Sequence, residues 1–282
     1  MIRIVTDSSA DIPHHISDVF EIEIVPLLVI FGKQQFREGI DITHNQFYKR
    51  LIREAPNMPK TSIPSVGEVA EVYEELLDDY DVDGIISIHL SSDLSGMHNV
   101  AVQAAKQVDP SRITVIDSRC VSMCLGWTVI AAAEMALNYE SKENILARIH
   151  SMIPRLRLPS FLDTLEYIKY GGRIGSAAAF LGTALDMKPL LHVKDGKVAP
   201  LARVRTQNKA MDALVNHAKR MDPFEDLAVM HTHAPDLAQK LAKKLKQKGV
   251  RTERKIMIAD TGVAMGAHTG PMSVGLCGVV KG

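Results

Sequence analysis

The stretch Gly84–Gly96, GIISIHLSSDLSG, carries the fold in miniature. Gly84–Leu90 is a short apolar, β-branched run, as a buried strand requires. It stops at Ser91-Ser92-Asp93-Leu94-Ser95-Gly96, and Gly96–Val108 continues with helical periodicity. The same design recurs on either side. Ile2–Thr6 (IRIVT) ends in Asp7-Ser8-Ser9, and Ile113–Asp117 (ITVID) ends in Ser118 before the apolar helix Ser122–Tyr139. Ile22–Phe31 reads as a further strand region bent at Pro26. Thr43–Arg53 and Val66–Leu77 read as helices, with another near Asn144–Leu156. Nearly continuous apolar strands separated by helices predict a parallel sheet in an α/β domain. Such sheets bind ligands at the carboxyl ends of their strands. Three of those ends here are hydroxyl- and carboxylate-rich: Thr6–Ser9, Ser91–Ser95 and Asp117–Ser118.

Beyond Leu158-Pro159 the pattern changes, and the expected division is 1–158 and 159–282. Ser160–Asp163 is expected as a strand, Thr164–Tyr170 as a short helix stopped by Gly171-Gly172, and Arg173–Leu185 as an Ala- and Gly-rich helix. Met187–Val193 and Lys197–Val204 flank Asp195-Gly196, a strong hairpin signal. Helices over Thr206–Met221 and Pro235–Gly249 alternate with strands over Leu227–Thr232 and Lys255–Ala259. A Gly-rich run, Gly262–Gly278, follows. A hairpin beside helix-linked strands predicts a mixed α/β second domain.

The 282 residues carry 33 Lys and Arg against 33 Asp and Glu, and 46% are hydrophobic, which excludes a disordered or fibrous chain. No apolar run reaches the roughly 18–20 residues that would span a bilayer. Without a basic and apolar leader after Met1, and with three scattered cysteines, the expectation is a cytoplasmic protein. Neutral overall charge speaks against a general nucleic-acid binder. The zero conceals an asymmetry: residues 1–158 hold 14 basic and 22 acidic residues, a net of −8, and residues 159–282 hold the complementary +8. That points to a charged partner.

The candidate chemistry is neutral and hydroxyl-based. Thr61 and Ser62 precede Ser65, which suits a helix N-cap; hydroxyls and free amides at a helix start also hold anions. The Ser91–Gly96 loop joins strand to helix as a phosphate loop does, but lacks the glycine spacing and lysine of a nucleotide site. Its donors suit a carboxylate or a single phosphate. A serine hydrolase would need a base such as His89 or His268, and Gly-x-Ser-x-Gly is absent. Cys120 and Cys124 read as packing residues, and His231 and His233 as turn histidines rather than a chelate. In the Gly-rich run, His268 is a candidate for hydrogen bonding to an anion, or a core histidine tied to a carbonyl. Arg173, Arg203 and Arg205 lie at element ends, where planar guanidinium groups suit docking to phosphate or an acidic partner.

These residues resemble the DegV family. The similarity runs through Ile4–Asp11 (IVTDSSAD), Val25-Pro26-Leu27, Lys60–Ser65 (KTSIPS), Leu90–Gly96 (LSSDLSG), Val115–Ser118 (VIDS), Asp163–Tyr167 (DTLEY), Gly171–Ile174 (GGRI), Lys188–Leu191 (KPLL) and Arg203–Thr206 (RVRT). The resemblance implies two α/β domains with a long-chain fatty acid, palmitate-like, in a tunnel between them. It implies that the carboxylate is bound by Thr61 and a serine of the Ser91–Ser95 loop, Ser92 before Ser95, with His268 completing the network. Ser62, Ser91 and Gly96 are expected around it. No cofactor or metal is implied. The bound acid would be presented to the ATP-binding subunit of a fatty acid kinase, with Arg173, Arg205 and Arg203 aiding the docking and transient membrane contact serving ligand exchange. The alternative is an enzyme, either a small-molecule kinase subunit or a serine hydrolase using the Ser91–Ser95 loop. The chain departs from the family pattern at Met97-His98, where Thr-Tyr is usual, and at Met272, where glycine is usual.

Overall fold

The computed structural model describes residues 1–55, 57–181 and 187–282. Its parallel sheet has the order Glu23–Val25, Ile2–Asp7, Gly84–His89, Ile113–Asp117. Gly84–His89 lies inside and is buried along its whole length. That is why its sequence is apolar throughout rather than alternating. A second, six-stranded sheet runs Lys197–Val204, Lys188–Lys194, Leu156–Phe161, Ser273–Val280, Phe224–Thr232, Met257–Asp260. All its pairs are antiparallel except the last.

The helix Met123–Leu137 is the layer shared by both sheets. It packs on Ile2–Asp7 and Gly84–His89, and on Leu156–Phe161, Phe224–Thr232 and Ser273–Val280. A helix covered from both sides must be apolar around its circumference, and Met123, Leu125, Val129 and Ile130 are all buried. Trp127 ties the layers by donating Nε1–H to the Cys277 carbonyl at 3.0 Å. The helices Gln207–Met221 and Pro235–Gln247 bring Met211, Leu214, Leu241 and Leu245 into a second core with Phe224 and Leu276.

Several expectations change. Pro26 divides Ile22–Phe31 into two strands that join different sheets, Glu23–Val25 in the parallel sheet and Leu28–Phe31 in a three-stranded antiparallel one. The third sheet is completed by Gln34–Arg37 and Lys60–Ser62. Thr61 therefore sits on a strand, paired with Val29. The six-stranded sheet begins before the expected division, since its strand Leu156–Phe161 runs across 158/159. In the expected helix Arg173–Leu185, only a short 3-10 turn forms at Gly175–Phe180; residues 182–185 lie outside the described ones. The Gly-rich run resolves into a helix, Val263–Thr269, and the strand Ser273–Val280. Between them Met272 holds φ +62°, the left-handed region that favours glycine.

Candidate functional site

A cavity of about 300 Å³ lies where the third sheet, the Ser91–Gly96 loop, the hairpin Lys188–Val204 and the helix Val263–Thr269 meet. Its wall is largely apolar, with Leu27, Leu90, Val121, Leu158, Leu162 and Ile168 among the lining residues. Thr61, Ser62, Ser95, Gly96, His268 and Arg173 bring hydroxyls, an imidazole and one guanidinium to it, and among the described residues no carboxylate lines it. The site therefore offers donors and a positive charge, the complement of an anionic head on an apolar body.

Thr61 Oγ1 and His268 Nε2 are 2.8 Å apart. Burial, aided by the charge of Arg173, lowers the His268 pKa to about 4, so the ring is neutral at neutral pH. Its Nδ1 is buried and has no partner. A proton there would be a stranded donor. The tautomer protonated at Nε2 instead donates to Thr61 and frees the Thr61 hydroxyl hydrogen for an acceptor in the cavity. Nδ1 faces Gly171 so closely that a Cβ at Gly171 would lie 2.0 Å from it. Gly171 is thus more than the helix stop its sequence suggests, because it makes the seat for the imidazole.

The helix Val263–Thr269 is held from the other end. Buried Glu38 accepts from the amides of Val263 and Ala264, and Asp11 Oδ1 accepts from Gly262 N–H at 2.7 Å. Desolvation raises the Glu38 carboxyl to about 7 and the Asp11 carboxyl well above the carboxylate range. Glu38 did not stand out in the sequence, and Asp11 did so only as the last residue of a family motif; both are separated from the helix by more than two hundred positions. Met265 and Thr269, one helical turn around His268, also face the cavity, as do Ser9 and His192.

The hydroxyl loop is arranged differently from expectation. Ser92 is exposed, donates Oγ–H to Asp117 at 2.6 Å and does not line the cavity; Ser95 does. The preference for Ser92 over Ser95 is reversed, because Asp117 at the neighbouring strand end draws Ser92 outward. Ser91 is buried, but its hydroxyl donates to the Gly196 carbonyl at 2.8 Å and latches the hairpin turn onto the loop. Arg119 adds a bond to the Asp195 carbonyl and an ion pair with Asp93 at 2.6 Å.

Of the three arginines, Arg173 donates to Leu94 O at 3.1 Å and Gly171 O at 2.7 Å and lines the cavity mouth. Arg203 and Arg205 are exposed and lie outside the cavity wall, Arg203 over the Phe180 ring at 4.6 Å. A hydrolase-like constellation does exist, with Ser87 Oγ 2.7 Å from His89 Nε2 and His89 Nδ1 2.9 Å from Asp7 Oδ2. All three are fully buried, Ser87 also receives the Tyr73 hydroxyl, and none lines the cavity. It is a structural network without substrate access. His231 pairs with Asp260 at 3.2 Å and His233 stacks on Tyr48, and among the described residues no three ligands converge on a metal position. The three cysteines are buried and free.

Two sheets sharing one helix, with a donor-lined apolar cavity beside them, define a mixed α/β protein with a candidate pocket for an amphipathic anion. A family model described as "Uncharacterised protein, DegV family" matches residues 1–281. The chain belongs to the DegV family. A DegV domain-containing protein of Streptomyces coelicolor is 36% identical over 281 residues, covering 99% of this chain and 97% of its own. The crystallised DegV family protein of Thermus thermophilus, described by its fatty acid binding, superimposes with a TM-score of 0.92 at 30% identity over 99% of both chains. A stearic acid-binding protein of Eubacterium ventriosum gives 0.92 at 26% identity, over 100% of this chain and 99% of its own. Among the described residues no helix is long and apolar enough to cross a membrane.

Proposed function

We propose that this chain binds a long-chain fatty acid, with the alkyl chain in the apolar cavity and the carboxylate against Thr61, Ser62, Ser95 and His268. The observation that carries the reading is the Thr61–His268 pair, 2.8 Å apart, at the edge of a cavity lined by leucines and, among the described residues, by no acidic one. Each buried methylene contributes about 0.8 kcal/mol, so a sixteen-carbon chain gains on the order of 10 kcal/mol before association entropy is subtracted. A neutral imidazole and neutral hydroxyls orient the carboxylate without neutralising it. The fatty acid and stearic acid bound by the relatives support the same occupant.

The finer reading is a carrier that presents the carboxylate to an ATP-binding kinase subunit for acyl-phosphate formation. Arg173 at the cavity mouth, with Arg203 and Arg205 on the exposed surface of the second half, supplies cations for that docking. Among the described residues His89 is bonded to Ser87 and Asp7 and His268 to Thr61, so neither pairs with a serine of the Ser91–Ser95 loop, which supports a carrier over a hydrolase using that loop. On this reading residues 1–158 contribute the hydroxyl site and residues 159–282 the docking arginines, as two domains around the ligand. Solvent extraction of the purified protein and mass spectrometry should yield a stoichiometric fatty acid. A protein that is empty and also takes up no added palmitate would sink the proposal. For the kinase step, Arg205→Ala should lower acyl-phosphate formation with an added kinase subunit and ATP while leaving palmitate affinity unchanged.

A further inference from the structure

We propose that Met265 is the partition that sets the length of the acyl chain this protein accepts; the inference rests on the fatty-acid reading and deepens it. Behind the main cavity lies a second one of about 60 Å³, between the helix Val263–Thr269 and the six-stranded sheet. The two cavities share Leu158, Ser160, Leu162, Met265 and Thr269 as lining residues, so these side chains form the wall between them. Leu158, Ser160 and Leu162 come from the strand Leu156–Phe161 and its end; Met265 and Thr269 reach across from the helix. Thr269 is short, and its hydroxyl is tied to the Met265 carbonyl at 2.9 Å. Met265 alone among the five has a long, unbranched side chain, the kind that fills an irregular gap.

The space behind Met265 suits an alkyl end despite its many hydroxyl residues. Ser122 Oγ donates to Asp11, Thr232 Oγ1 to Gly270 O at 2.6 Å, and Ser273 Oγ to Thr269 O at 3.0 Å. With these three hydroxyl hydrogens donated to protein partners, their donor capacity is used, and Met230, Val274 and Cys277 add apolar wall beside Ser160 and Thr261. The partition is also fixed in place. Glu38 and Asp11 hold the start of its helix, and His268, three residues on, is bonded to Thr61. One short helix therefore bears both His268 and the partition, only about 4.5 Å apart along its axis, so the acyl chain must fold back within the cavity to bring its end to Met265.

The test loads the full chain with an equimolar mixture of saturated fatty acids from fourteen to twenty-two carbons and weighs the complexes by native mass spectrometry. Met265→Ala opens the wall, so the preferred occupant should lengthen by about two to four carbons. Met265→Leu, which conserves volume, should keep the wild-type preference, and adding Val274→Leu to Met265→Ala should shorten the occupant again. A Met265→Ala profile that superimposes on wild type overturns the inference. Should Met265→Ala melt below the loading temperature, Met265→Val decides by the same criterion. A wild-type chain that takes up none of the mixture refutes the fatty-acid reading instead, which is a separate outcome.

Discussion

Gly171→Ala isolates the seat of His268. Gly171 has φ −68° and ψ −8°, ordinary helical backbone, so alanine brings no conformational strain. By itself the exchange should stabilise by about 0.5–1 kcal/mol, through the smaller entropy of the unfolded chain. The new Cβ, however, would stand 2.0 Å from His268 Nδ1 and 2.6 Å from Cε1. The ring cannot retreat, because Thr61 occupies its opposite edge at 2.8 Å. It must leave both its rotamer and its hydrogen bond. Overpacking costs about 1–3 kcal/mol and the lost bond about 1 kcal/mol, for a net destabilisation of about 1–3 kcal/mol. That is a fall of roughly 3–8 °C in Tm for a chain of this size. Palmitate affinity should fall about tenfold or more, since the Thr61 hydroxyl loses the group that orients it. Gly172→Ala is the control. Gly172 has φ +72° with nothing within 4 Å of a Cβ, so alanine there strains the backbone by about 1–2 kcal/mol without touching the imidazole. Calorimetric titration with palmitate and thermal unfolding separate the two. Should Gly171→Ala bind palmitate as tightly as Gly172→Ala does, His268 does not orient the Thr61 hydroxyl for the headgroup as described above.

Ser95→Ala should weaken palmitate binding severalfold, whereas Ser92→Ala should leave it unchanged and cost about 1 kcal/mol of stability by breaking the bond to Asp117; paired titrations and melts check both. Met272→Gly should raise stability by about 1 kcal/mol in denaturant unfolding, because φ +62° is easily adopted only by glycine. His268 and Glu38 give opposite pH dependences. With its pKa lowered to about 4, His268 costs stability as pH falls from about 6.5 to 4, by about 3 kcal/mol at most, and His268→Asn should remove that slope. Glu38, raised to about 7, contributes stability below about pH 4.5 that is lost as pH rises through 7, and Glu38→Gln should flatten that limb of the profile.

The legible parts of the sequence were those where one physical constraint acts along a continuous stretch. Gly84–His89 is covered on both faces, so every side chain reports burial, and Met123–Leu137 is apolar around its circumference for the same reason. Thr61 and His268 were named together from the family resemblance, and the structure brings them within 2.8 Å of each other. The direction in which a loop serine points was not, because it depends on a partner elsewhere in the chain. Ser92 and Ser95 are the same residue type three positions apart, and Asp117 decides between them. Gly171 carries no mark distinguishing a helix stop from a seat for an imidazole 97 positions later. Three-residue strands such as Lys60–Ser62 are too short for alternation to show, and their pairing with Leu28–Phe31 is a tertiary matter. Asp11 and Glu38 looked like ordinary charged residues, and only folding buries them against the helix that bears His268.

The opposed charges of the two halves have a structural sequel in how the halves are joined. Were the −8 and +8 spent on holding the halves together, ion pairs across 158/159 would run from acids of the first half to bases of the second. Two do, Asp93–Lys197 at 3.4 Å and Glu134–Arg254 at 3.3 Å. Two others run the opposite way, from Arg148 and Arg155 to Glu225 at 2.8 and 2.5 Å. Among the described residues the first half commits two acids and two bases and the second half two bases and one acid, so cross-boundary pairing consumes almost none of the asymmetry. The attachment comes instead from the shared apolar helix and from neutral bonds such as Trp127 to Cys277 and Ser91 to Gly196. Each half therefore keeps its excess charge for solvent and for partners. Fields of this kind steer encounter and fix orientation more than they add affinity. Such steering would orient a carrier's cavity mouth toward the enzyme that receives its cargo.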